Sequence, residues 1–392
     1  MLSRKIKNIL TNPRFWLGIS LLYLFVVLFF VILGLFDNND SYSKVKSQLS
    51  QNILNFVSPK FPPLDKIDYD QRLLALANMP EIIKPVSTSS TSTKTTISAT
   101  SSTSTPKIYQ TSWGKIKMLS PLWPVKTVYP KDGAILPFKR IVAYYGNFYS
   151  TAMGILGQYP EDQVLEKLKG EVEKWNLADP NTPVLPAIHY IAVTAQGSKG
   201  VDGKYRARMP DDQIDKALEM AKKVNGIVFL DIQVAQSTIQ VELPLLEKYI
   251  RMPEVNIAID PEFSMKNGRK PGIYVGTYDA SEINFVIDYL ARIVKEENLP
   301  PKILVVHRYT QEMLTNANLI KTVPEVQVVI NMDGWGPPGN KLSSYQQYVY
   351  LEPVQFTGFK LFYKNDLRGG SRMMTPEEVL KLTPKPVYIQ YQ

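Results

Sequence analysis

Asp260 and Glu262 flank a single proline at the end of the apolar run VNIAIDPEF (255–263). Residues two apart in an extended strand share a face, so both carboxyls are expected to point the same way. Asp231 and Gln233 repeat this spacing at the end of GIVFLDIQV (226–234). Asp333 closes VQVVINMD (326–333), Asn147 closes RIVAYYGN (140–147), and Gln390 lies in PVYIQYQ (386–392). The chain has two histidines, His189 in PVLPAIHYIAV (183–193) and His307 in KILVVHRY (302–309). Crowded carboxyls disfavour double ionisation, which keeps one protonated and another ionised near neutral pH. Glycoside hydrolysis uses that division of labour.

In that chemistry Glu262 is expected to be the general acid that protonates the leaving oxygen. Asp260 and Asp333 would stabilise developing positive charge or position the nucleophile. Asp231, Gln233, His189, His307 and Gln390 would bind substrate or orient those acids, with Asn147 beside them. Tyr144, Tyr145, Tyr190, Trp335 and Tyr363 fall at or near the same run ends, and aromatic faces suit sugar rings. A lone Asp after a strand is most often a cap or loop residue. Several acids buried together are costly unless a function or a metal offsets the cost.

Other chemistries lack their signatures. There is no G-x-S-x-G elbow and no Ser/His pair at usable spacing, which argues against an acyl-enzyme. There is no H-x-H or H-E-x-x-H, so no preformed zinc site is signalled. Phosphate and dinucleotide loops are also missing, and no cofactor is expected. Two rivals stay open. One is a non-catalytic glycan-binding or scaffolding module on the same fold. The other is a divalent-metal hydrolase using Asp231, Asp260, Glu262 and one histidine.

The elements that must position these residues are eight strand-like runs: the seven above and GFKLFYK (358–364). Helical patterns such as PEDQVLEKLKGEVEKW, PDDQIDKALEMAKKV and DASEINFVIDYLARIVKEEN separate most of them. Each carries apolar residues at i, i+3, i+4 and acids in its first turn. This alternation predicts an α/β fold, a (β/α)8 TIM-barrel-like domain over 107–392. A doubly wound sheet is the rival, but it normally carries a Gly-rich loop after its first strand. In a barrel, Val228, Leu230, Ile257 and Ile259 should face the helices while the polar set faces the axis and the mouth.

The N-terminal region reads differently. No charge interrupts Phe15 to Phe36; Arg4, Lys5, Lys7 and Arg14 precede this run, and Asp37 and Asp40 follow it. About 20 apolar residues span a bilayer, and Lys and Arg stay on the cytoplasmic side. The reading is a cytoplasmic N-terminus (1–14), one transmembrane helix (15–36) and an extracytoplasmic remainder. A cleaved signal peptide is the alternative, but the exit GLFDNND lacks an A-x-A site. A juxtamembrane segment (37–85) with a small amphipathic helix near Tyr69 to Asn78 follows. The Ser/Thr-rich stretch 86–106 is expected to be a disordered linker. The chain has no cysteine, which rules out disulfides, a thiol nucleophile and a lipidated-cysteine anchor. Four positives of the +9 formal charge lie in the first fourteen residues and the rest are scattered. A nucleic-acid groove needs clustered basic residues, so no nucleic acid is expected. The expected partners are a membrane, through the N-terminal helix, and an envelope polysaccharide or peptidoglycan.

The segment from Arg140 to Gln392 resembles a family of uncharacterised bacterial extracytoplasmic proteins with a glycosidase-like TIM barrel. The stretches carrying the resemblance are YYGNFYSTAMGILG (144–157), IAIDPEFSM (257–265), ILVVHRYTQEM (303–313) and INMDGWG (330–336). A looser likeness is to the family-25 glycoside hydrolases, the barrel lysozymes. Their fourth strand ends in Asp-x-Glu and their sixth in Asp, matched here by Asp260-Pro261-Glu262 and Asp333; IQYQ (389–392) is similar to their W-Q-Y ending. On the first strand they carry an Asp where this chain has Tyr145-Gly146-Asn147.

Overall fold

The computed structural model describes residues 61–78, 107–111, 114–118 and 122–392. The expected cytoplasmic segment, transmembrane helix and Ser/Thr linker lie outside these residues. Among the described residues no helix is long and apolar enough to cross a membrane.

Eight parallel strands form a closed barrel. They are β1 (Arg140–Gly146), β2 (Val184–Ala195), β3 (Ile227–Ile232), β4 (Val255–Ile259), β5 (Lys302–Arg308), β6 (Val326–Met332), β7 (Phe356–Leu361) and β8 (Tyr388–Tyr391). Each pairs with its neighbours in chain order. Tyr391 of β8 aligns with Tyr144 of β1, and Tyr145 of β1 aligns with His189 of β2, which closes the ring. The eight strand-like runs of the sequence are these eight strands. A three-residue strand, Arg206–Arg208, lies antiparallel on the end of β2.

The alternation of each strand divides the apolar residues into two layers. Val142, Tyr144, Val228, Leu230, Ile257 and Ile259 point outward into the core shared with the helices. Ile141, Ala143, Ala187, Phe229, Ala258, Val305, Val329 and Tyr388 fill the lower barrel interior. The outer layer holds helices α2 (Glu161–Ala178), α3 (Asp211–Lys223) and α4 (Ala280–Glu297). Helix α4 shows why the sequence folds this way. Asp279 and Glu282 form a capping box, Asn298 ends the helix in the left-handed conformation, and Ile283, Val286, Ile287, Leu290 and Val294 make its buried stripe.

An N-terminal helix, α1 (Lys66–Ala77), belongs to the same compact unit as the barrel, which begins at Pro63. Its Tyr69 is buried with Leu136, Phe356 and Val387 at the amino ends of the strands. Leu76 O accepts from Lys385 N at 2.7 Å, and Asn78 Nδ2 donates to Leu382 O at 2.8 Å. The helix thus covers the floor of the barrel. Leu73 and Leu76 of the same helix pack, partly buried, against that cluster.

Candidate active site

The carboxyl ends of the strands surround an open cavity of about 810 Å³. Asp260, Glu262, Asp333, Gln233, Tyr145 and Trp335 line it, as the sequence suggests. Lys360, Tyr309 and Gln392 line it as well and were not anticipated. Lys360 is an inward residue of the run GFKLFYK (358–364), and Tyr309 follows His307 by two residues. The same period-two argument that selected Glu262 would have found both.

Asp260 and Glu262 do not sit side by side on a strand. Strand β4 stops at Ile259, and Pro261–Phe263 is a single 3-10 turn capped by Asp260. Proline at its first position removes a strand donor and forces this exit. Asp260 Oδ1 accepts from Glu262 N at 3.1 Å, while Gln233 Nε2 donates to Asp260 Oδ2 at 3.3 Å. Gly276 N donates to Glu262 O at 2.7 Å. Gly276 lies so close that an added Cβ would be 2.5 Å from Pro261 O. The turn is therefore clamped. Asp260 is directed inward and buried, and Glu262 is half-buried at the cavity wall.

Electrostatics separates the acids. Burial, reinforced by the negative charge of Asp333, raises the Glu262 pKa; the Tyr309 hydroxyl, which donates to Glu262, partly opposes this. Burial also pushes Asp260 well above the carboxylate range, with Asp231, Glu262 and Asp333 adding to the effect. Asp333 goes the other way. Burial opposes its ionisation, but Lys360 and His307 outweigh it and hold the carboxyl low. Lys360 Nζ lies 2.9 Å from Asp333 Oδ1, and His307 Nδ1 lies 3.1 Å from Asp333 Oδ2. The cavity therefore places two acids whose pKa values are pushed up beside one whose pKa is pulled down.

Below the mouth is a fully buried polar layer. Asp231 Oδ2 accepts from the Tyr145 hydroxyl at 3.1 Å and lies 3.7 Å from Nε2 of both His189 and His307. Burial lowers the His189 pKa to about 4, so its ring is neutral. Burial pushes His307 the same way, but Asp333 and Asp231 outweigh it and its pKa is raised. Asp231 is lowered, because His189, His307 and Lys360 overcome its desolvation. Gln390 Nε2 lies 3.0 Å from His189 Nδ1 and 3.3 Å from the Tyr388 hydroxyl. His189, His307, Asp231 and Gln390 thus stand beneath the cavity and support it from below.

Two expected site residues lie elsewhere. Asn147 donates to Ile191 O at 3.1 Å and its Oδ1 accepts from Tyr149 N at 2.9 Å, so it fastens the loop after β1. Tyr363 bonds Tyr144 and Glu171 at 2.9 and 3.0 Å and stacks on Tyr391. It follows the end of β7 and packs on the outer layer, as do Tyr144 and Tyr190.

The rim has its own support. Lys341 on helix α5 (Pro338–Tyr345) donates to Gly334 O, Lys360 O and the Asp366 carboxylate at 3.0, 2.7 and 2.9 Å. Asp366 also accepts from Gly336 N and Phe362 N, each at 3.0 Å. One buried ion pair thus joins the loops after β6 and β7. Trp335 projects from this frame, about half exposed, with Arg368 over its ring at 4.8 Å.

No family model matches the chain, and no curated protein matches it. Among solved structures the chain is similar to one named "Cellulase Cel5C_n", with a TM-score of 0.33 and 10% identity over 57% of this chain. The match spans 65% of that cellulase's length. The fold assignment rests on the closed eight-stranded parallel barrel itself.

Proposed function

We propose that the barrel hydrolyses a glycosidic bond by carboxylate acid/base chemistry. The opposite pKa shifts of Glu262 and Asp333 in one cavity carry this reading. Glu262 delivers its proton to the leaving oxygen. The sugar ring develops oxocarbenium character, and ionised Asp333 offsets the positive charge. A water then adds to the anomeric carbon and gives its proton back to Glu262. Trp335 offers an aromatic face to a sugar ring. The N-terminal run Phe15 to Phe36 would tether the domain outside a membrane, where an envelope glycan or peptidoglycan is the substrate. Incubating the protein with a panel of envelope polysaccharides and reading products by mass spectrometry tests the reaction. Cleavage by the wild type and none by Glu262→Gln is expected; no cleavage of any member by the wild type overturns it. Protease added outside intact cells should cut near the Ser/Thr stretch; full protection of the barrel until lysis would refute the tether's orientation.

One observation favours a second reading, a non-catalytic glycan-binding module. Both Asp333 oxygens are already engaged, one by Lys360 and one by His307. Binding of an uncleaved glycan, unchanged by Glu262→Gln, would select that reading.

A further inference from the structure

The buried layer beneath the cavity contains a feature that glycoside hydrolysis does not use. We propose that His189 Nε2, His307 Nε2 and Asp231 Oδ2 form a binding site for one divalent first-row transition metal of the zinc class. The three residues come from β2, β5 and β3, and all are fully buried. Their ligand atoms lie within 4.8 Å of one another, and Asp231 Oδ2 is 3.7 Å from each Nε2.

Three observations converge on a metal. First, 3.7 Å is too long for an N–H···O hydrogen bond. Among the described residues both Nε2 atoms lack a hydrogen-bond partner. A buried polar atom left unmade costs about 1–3 kcal/mol, and here two converge on one oxygen. Second, the separation suits an ion. Metal–ligand bonds of about 2.0–2.1 Å bridge atoms up to about 4.2 Å apart, so the 3.7 Å from Oδ2 to each Nε2 is within the span of one ion. Third, the opposite ring nitrogens are already committed. His307 Nδ1 donates to Asp333 Oδ2 at 3.1 Å, and the Tyr388 hydroxyl lies 2.5 Å from His189 Nδ1 and can take its proton. The Asp333 contact favours the His307 tautomer that presents an Nε2 lone pair inward, as outer partners do for metal-bound histidines, while Tyr388 and Gln390 hold the His189 ring in place through Nδ1. Two imidazoles and a carboxylate suit zinc, cobalt or iron(II) more than the oxygen-seeking calcium or magnesium.

The site differs from the mouth-level metal set of Asp231, Asp260, Glu262 and one histidine. Asp260 and Glu262 lie above it. Gln233 Nε2 donates to the Tyr145 hydroxyl at 3.1 Å and to Asp260 Oδ2 at 3.3 Å. This short chain stands between the triad and the cavity, so an entering ion must part it and loading should be slow. None of the three ligands lines the cavity, so metal retention and loss of cleavage in Glu262→Gln are separate readouts.

The test is metal content and spectrum. The full chain, produced with zinc and again after prolonged incubation with cobalt, is desalted and measured by elemental mass spectrometry and visible absorption. One retained metal per chain and the intense bands of low-coordinate cobalt are expected, together with a melting temperature that rises with zinc concentration. Asp231→Asn and His307→Gln should each weaken retention by at least about 10- to 100-fold, the loss seen for even an outer partner. Far-ultraviolet dichroism shows whether the variants fold; if they do not, the wild-type cobalt spectrum decides. A wild-type chain that retains neither metal overturns the site. Undiminished retention in a folded Asp231→Asn variant overturns the ligand assignment.

Discussion

The Lys360 ammonium lies 2.9 Å from Asp333 Oδ1 and 4.0 Å from the centre of the Tyr145 ring. Asp333 is buried and its ionised state depends first on this cation. Removing one partner of a buried pair costs about 3–5 kcal/mol, so Lys360→Met should destabilise the barrel by that order. The sign with pH follows from linkage. A carboxyl held low in the folded state contributes stability above its unfolded pKa and loses it as pH falls through the folded value. Without Lys360 the folded value moves up toward the unfolded one, so the acid loss should be smaller and should be complete at a higher pH. Urea unfolding of wild type and Lys360→Met from neutral to acid pH measures this; equal stability at neutral pH would show that Asp333 does not need the pair.

Glu262 has the opposite sign. Its folded pKa is raised, so it costs stability as pH rises through that value. Glu262→Gln should abolish hydrolysis by about 100- to 10,000-fold, the usual contribution of a general acid. It should leave the protein at least as stable at neutral pH. The Tyr309 hydroxyl lowers the Glu262 pKa by donating to it. Tyr309→Phe should therefore raise that pKa and move the alkaline limb of the pH–rate profile upward. A limb that moves down, or stays put, would remove Glu262 as the titrating acid.

Much of this was legible from alternation alone. Period two located all eight strands and put Val228, Leu230, Ile257 and Ile259 outward because a closed parallel sheet is covered by helices. It failed where the chain leaves the strand. Glu262 reaches the cavity from a proline-started turn, not from a strand position, so its partnership with Asp260 is through the backbone. Asn147 and Tyr363 misled for a related reason: each follows a strand end, and a polar or aromatic residue there can just as well fasten a loop. Lys360 stands in a strand-like run, but its pairing with Asp333, 27 positions earlier, was not legible, because sequence distance says nothing about partners across a barrel.

The floor helix was legible as a helix but not as part of the barrel. Tyr69 is 2% exposed beneath the strands, and deleting a large buried ring costs about 3–5 kcal/mol. Tyr69→Ala should lower stability by that order, and a chain beginning at Lys107 should be less stable than one beginning at Phe61. Guanidinium unfolding of the three proteins compares them directly. Coincident transitions would mean that residues 63–78 dock without supporting the barrel.

Trp335 separates substrate contact from folding. It lines the cavity, is 52% exposed, and stacks only with Arg368 at 4.8 Å among the contacts its ring makes with cations. The loop that carries it is held from behind, by Lys341 and Asp366 through Gly334 O and Gly336 N, so truncating the indole should not unfold the loop. Surface substitutions of this kind usually change stability by no more than about 0.5 kcal/mol. Stacking of a sugar on the indole face makes a contact that exists in the bound ground state as well as in the transition state. Its loss should raise KM while kcat changes little. Trp335→Ala is thus expected to weaken glycan binding several-fold with an unchanged melting temperature, and Trp335→Phe to recover part of it. Lys341→Met, by contrast, leaves Asp366 buried and unpaired and should lower stability together with binding. Isothermal titration with the cleaved glycan, beside thermal melts of all three variants, distinguishes these outcomes. Unaltered affinity in Trp335→Ala would place the sugar elsewhere in the cavity.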